Sequence, residues 1–157
     1  MNRTFRPGAI GALMDEYERV ALELKNLLSI ISQEEFIKII DPYSEDEDCK
    51  SMQSIMKHVV SAAYRYADQI CSFLKKPITP HNYHIYNVVH AIDELENVIN
   101  FTSVIVSDKY KMNDEEIEST EQETRWGRYN IEMMFEHAIV HILRHRRQIE
   151  KIMASQK

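Results

Sequence analysis

Apolar residues return at every third or fourth position through four long stretches of this chain, and that spacing restricts the fold more than any other feature. After "RPGA", residues Ile10, Leu13, Met14, Tyr17, Val20, Ala21, Leu24, Leu27, Leu28 and Ile31 trace one face of a helix for about six turns. Met52, Ile55, Met56, Val59, Val60, Ala63, Ala67, Ile70 and Leu74 repeat the pattern until "KKP" ends it. A third run, Ile85, Val88, Val89, Ile92, Leu95 and Ile99, follows "ITPHNYH", where Thr79 suits an N-cap and Pro80 the first helical position. From Trp126 onward, Ile131, Phe135, Ala138, Ile139, Ile142, Ile149 and Met153 share one face.

These runs predict helices over 9–31, 50–75, 80–108 and 126–154. Between the first two, "SQEEFIKII" reads as a short extra helix starting near Ser32 or Gln33 and stopping before Pro42, and "SEDED" reads as a solvated loop. Four amphipathic helices bury all their stripes at once in a four-helix bundle, so the expected class is all-α, with 1–157 as a single domain. Only three Gly and four Pro agree with helices rather than with a many-turned β fold.

The acidic segment 113–123, "NDEEIESTEQE", is expected to be a mobile, solvated connection or to fray the neighbouring helix ends. It lacks the glycine at the sixth position of an EF-hand loop and so does not read as a calcium site.

Charge and cysteine content narrow the partners. A net charge of −6 argues against nucleic acid, which needs a concentrated basic face. The "RHRR" run at 144–147 is basic, but four adjacent helical residues point in different directions. No apolar run approaches the roughly 18 residues of a membrane span. Asp15, Glu16 and Glu18 interrupt any secretory leader, and Cys49 and Cys71 are isolated, so a cytoplasmic location is expected. Cys71, at the margin of its stripe, reads as a packed side chain rather than a nucleophile.

Histidine placement carries the chemistry. "EHAIVHILRHRRQIEK" sets His137, His141 and His145 at four-residue steps, each step turning a side chain by only about 40°. Measured from the middle of the apolar face, His145 lies at about 60°, His141 at about 100° and His137 at about 140°. His141 and His145 therefore edge the core while His137 drifts toward solvent. Two imidazoles with this spacing reach one transition-metal ion but do not satisfy it alone, and they also occur as plain core-edge side chains. A third ligand has to come from another helix. His58 lies well off the centre of the second stripe, which suits an open groove between helices.

Two other metal signatures are excluded. "HAIVH" lacks the glutamate that a zincin uses as general base. No Glu stands three residues before a His, as a ferritin-like di-iron site requires. His81 and His84 read as residues that cap or line the surface near a helix start, and His90 as a helix-edge residue. Gln148, three residues after His145, is placed either to orient a bound water or to face solvent.

The sequence resembles the DinB/YfiT-like family of bacterial four-helix-bundle metalloproteins. "SMQSIMKHVVSAA" resembles the family's second-helix segment, and "VHILRHRRQIEKI" resembles its fourth-helix motif of two histidines four apart followed by Arg-x-Gln. The likeness extends to helix order and chain length. It implies that His58, His141 and His145 form a metal triad for a divalent ion, most often zinc or nickel. Three neutral ligands leave the ion its full charge, which lowers the pKa of a water or thiol beside it.

A transferase that activates a low-molecular-weight thiol is the enzymatic expectation; a non-catalytic metal- or ligand-binding module is its rival. Where many members carry Gly after the His-Arg pair, this chain has Arg147, which narrows the approach or points a charge at a partner. Small molecules are the expected partners, and a homodimer stays open.

Overall fold

The computed structural model describes residues 5–40, 42–43 and 47–155. It is mostly helical. Helix α1 spans Gly8–Leu28, α2 Gln33–Ile37, α3 Met52–Phe73, α4 Val88–Val106, α5 Asp114–Glu118 and α6 Ile131–Ser155. A short 3-10 turn, Glu47–Cys49, precedes α3, and strands β1 (Gln122–Thr124) and β2 (Gly127–Tyr129) form a hairpin before α6. Of the expected "SEDED" loop, Ser44–Asp46 lie outside the described residues.

The four long helices bury their stripes against one another. Helix α1 packs on α4 and α6, and α3 packs on the same two from the other side. Tyr17 of α1 and Phe135 of α6 meet edge to face at 6.2 Å between ring centres, both wholly buried. Truncating Phe135 to alanine would cost about 3–5 kcal/mol, the usual range for an aromatic removed from a close-packed core. None of the described helices is long and apolar enough to cross a membrane.

Local signals set several helix ends. Ser32 caps α2 through a reciprocal bond with Glu35, and Ser51 caps α3 in the same way with Ser54. Helix α3 stops where Lys75 turns to φ 54° and the Lys76 amide donates to the Cys71 carbonyl at 2.9 Å, a left-handed stop made without glycine. Gly8 starts α1 at φ 74° against the Tyr110 carbonyl, where a Cβ would fall only 2.0 Å from the oxygen.

Four expectations need correction. Helix α4 begins at Val88, not near 80, with the Asn87 side chain accepting from the His90 amide. Residues 78–87 are irregular, and from His81 to Tyr86 their burial alternates with a period of two. His81 and Tyr83 stack on either side of Tyr64, and Ile85 is buried, so ring packing against α3 keeps this stretch extended in spite of the Thr79–Pro80 start signal. Val89, assigned to the buried face, is exposed.

Segment 113–123 is not a structureless connection either. Asn113 and Glu116 form a capping box that starts α5, Ile117 is buried beneath it, and Gln122 and Glu123 enter β1. Trp126 belongs to the hairpin turn, not to α6. Thr124 Oγ1 accepts from the Trp126 amide at 3.1 Å and donates to the Gly127 carbonyl at 2.7 Å, which delays the helix to Ile131.

Candidate metal centre

Helix α3 contributes His58, and α6 contributes His141 and His145 from successive turns. One ring nitrogen from each of the three lies within 4.8 Å of the other two. His58 Nε2 is 3.1 Å from His141 Nε2. Two imidazole lone pairs at that separation repel unless a proton or a cation lies between them. Nitrogens bound tetrahedrally to one zinc ion stand about 3.3 Å apart, close to the spacing observed.

The outer nitrogens are held as a metal site would require. Asp48 in the 3-10 turn accepts from His58 Nδ1 at 2.7 Å, because a carboxylate can only accept. Gln148 Oε1 pairs with His145 Nδ1 at 2.9 Å, and its amide nitrogen donates to Cys49 Sγ at 3.2 Å. Both contacts place the proton on Nδ1 and leave Nε2 as the lone-pair atom. Burial, reinforced by the charges that His145 and His58 would carry, pushes the His141 imidazole down to about 3. At neutral pH it is an uncharged donor. The three-imidazole donor set could therefore hold a metal ion.

The cluster opens to solvent through a groove of about 620 Å³ lined by Asp48, Cys49, Arg144, Arg147, Gln148 and Lys151 together with the three histidines. His58, with a side chain 27 % exposed, also borders a second groove of about 670 Å³. On the other side of His141, a more apolar groove of about 390 Å³ runs past Tyr129, Met133, His137 and Val140.

His137 stands apart from the cluster, though not because it drifts into solvent. Its ring sits among Tyr66, Trp126 and Tyr129, and its Nδ1 lies 3.1 Å from the Tyr129 hydroxyl. Burial lowers its pKa. The hairpin accounts for this, since it folds its aromatic side chains over the start of α6.

His81 also departs from its surface expectation: only 14 % of its side chain is exposed, and Asp68 accepts from its Nε2 at 2.7 Å. His84 and His90 are exposed and touch Tyr86. Cys71 is buried, and burial raises its thiol pKa, in keeping with a packed side chain. Gln148, expected beside the ligands or facing solvent, lies beside His145 and bonds to its Nδ1.

Sequence reasoning missed Asp48, Cys49, Arg144 and Lys151. The arginines and lysine carried a usable signal: Arg144, Arg147 and Lys151 follow i, i+3, i+7 spacing and line one groove, while Arg146 between them turns to Glu23 of α1. Asp48 carried none, because a loop residue reaches a helix only through the tertiary fold.

Comparison with protein-family models, with curated proteins and with solved structures finds no match. Function has therefore to be inferred from the geometry and chemistry of the site itself.

Proposed function

We propose that the chain is a divalent-metal-binding protein of the DinB/YfiT-like kind, a four-helix bundle that holds zinc or nickel on His58, His141 and His145 and uses it to transfer a low-molecular-weight thiol to an electrophile. One observation carries the reading: the three imidazoles converge while Asp48 and Gln148 occupy the outer nitrogens of two of them. Isolated core-edge histidines have no need of such matched partners.

A bound ion supplies Lewis acidity that favours thiolate over thiol near neutral pH. The chain's residues set up the rest. His58 and His145 are fixed in tautomer and orientation by Asp48 and Gln148, so little reorganisation accompanies metal uptake. The groove beside Arg144 and Arg147 admits a small molecule to the open side of the cluster. Tyr66, buried against His141 with ring centres 5.5 Å apart, keeps water from the inner side.

The rival reading, a metal- or ligand-binding module without turnover, is favoured by a different observation. Among the described residues Asp48 is the one carboxylate lining the groove, and its Oδ2 is engaged by His58 rather than free to serve as a general base.

The test is a rate measurement on tag-free, zinc-loaded protein with a panel of small thiols against aryl halides and epoxides. Thiol consumption should accelerate with metal, and His145→Ala should lose the acceleration while keeping its helical circular dichroism. Metal-loaded protein that binds a thiol but leaves every rate unchanged would replace the transferase by the module.

A further inference from the structure

We infer that the small ligand reaching the histidine cluster carries at least two anionic groups, held by Arg144, Arg147 and Lys151 on one flank and by Lys57, Arg65 and Arg125 on the other. The inference rests on the proposal that the cluster binds a small ligand, and it specifies that ligand's charge.

Charge balance and pairing both point this way. The chain is net acidic at −6, yet among the described residues six basic side chains line the two polar grooves that meet at His58, with Asp48 as the single acid. Asp48 is engaged by His58. Among the described residues none of the six cations forms an ion pair with a carboxylate. Arg65 donates to the Ser61 hydroxyl at 2.7 Å, and Arg125 lies over the Trp126 ring at 5.4 Å. Elsewhere, Arg6, Arg19, Lys25, Lys76, Arg128 and Arg146 each hold an acidic partner.

Placement is set by helix geometry. Residues 144, 147 and 151 recur on one side of α6, so their side chains converge over the mouth of the groove that ends at His141 and His145. Arg125 reaches the second groove from the hairpin turn, opposite Lys57 and Arg65 on α3. Arginine forks bind carboxylate or phosphate oxygens in pairs, and cations at both flanks of one cluster match a compact ligand charged at two places. An uncharged thiol would leave these six cations without an ion-pair partner among the described residues.

Calorimetric titration of the tag-free chain, metal-free and zinc-loaded, tests this with succinate, pyrophosphate, mercaptosuccinate and mercaptoethanol as probes. Mercaptosuccinate should bind the zinc-loaded chain at least about tenfold more tightly than mercaptoethanol, and added salt should weaken it. The double variant Arg144→Gln/Arg147→Gln should lose about tenfold in mercaptosuccinate affinity while taking up zinc as the wild type does. The tighter of succinate and pyrophosphate on the metal-free chain identifies the anion as carboxylate or phosphate.

Equal binding of mercaptoethanol and mercaptosuccinate, or a double variant within about twofold of wild type, would overturn the inference. If zinc-loaded protein prefers mercaptosuccinate no more than succinate, the anionic grip stands and thiol activation falls.

Discussion

Helix α6 presents two basic faces that behave in opposite ways. Toward α1, Arg146 meets Glu23, and nearby Arg6 bridges Asp15 and Glu18 at 2.5 Å each while Lys25 reaches Glu96. Toward α3, Arg144 and Arg147 line the groove over the histidines beside Asp48, which bonds to His58, and form no ion pair among the described residues. Adjacent positions 146 and 147 are divided only by the turn of about 100° between helical neighbours. Charges on the first face are compensated within the fold and hold it together. Those on the second are left available, which is the expected state of groups that meet a ligand.

The comparison breaks most readily at the histidines themselves. His141→Ala should lower zinc affinity by more than the ten- to hundredfold that loss of an outer partner costs, whereas His137→Ala should leave it nearly unchanged; competition against a chromogenic chelator reads both. Equal losses from the two substitutions would remove the distinction between the cluster and the aromatic nest.

Next in size is the cost of opening the paired face. Arg6→Ala removes the guanidinium from Asp15, whose side chain is only 9 % exposed and keeps the residue-6 backbone amide as a donor, and should lower urea stability by about 2 kcal/mol. Arg147→Ala should change it by no more than about 0.5 kcal/mol. A large loss at Arg147 would mean that the groove's cations are structural after all.

Asp48→Asn probes the histidine end of the same groove. The amide accepts less strongly from His58 Nδ1, so zinc affinity should fall about tenfold with little change in stability, as titration and melting would show.

The smallest effect is a slope. His137 titrates below its ordinary value because burial disfavours the imidazolium, so in this range the unfolded chain binds protons that the folded chain does not. Stability of the metal-free protein should therefore decline as pH drops through the ordinary histidine range. His137→Gln should flatten part of that decline in urea midpoints taken at successive pH values.

What can be read from the sequence depends on the range of the forces involved. Apolar periodicity is local and dense in α1 and α3, and those helices lie within a few residues of expectation. The start of α4 is obscured by competing local signals. Thr79–Pro80 is a sound helix opening, but the packing of His81 and Tyr83 about Tyr64 outweighs it. In 113–123 the acidic composition hides a capping pair, Asn113 and Glu116, and one apolar anchor, Ile117.

At the site, the four-residue spacing marks His141 and His145, and wheel geometry puts His58 at a groove. The choice of His58 as their companion comes from family resemblance. Asp48 stays invisible because its contact spans ten residues across a turn with no periodic signature. Reading "RHRR" as four divergent directions is right for Arg146 against Arg147, but it overlooks that Arg144 and Arg147 are joined on one face by Lys151.

The central claim is that one divalent ion binds at His58, His141 and His145. X-ray absorption on tag-free protein, combined with elemental analysis, tests it most directly. The expected result is one equivalent of zinc or nickel per chain, nitrogen neighbours at about 2.0–2.1 Å, and imidazole scattering that diminishes in His141→Ala. Absence of a stoichiometric metal after zinc loading, or an ion whose scattering is unchanged in that variant, would contradict it.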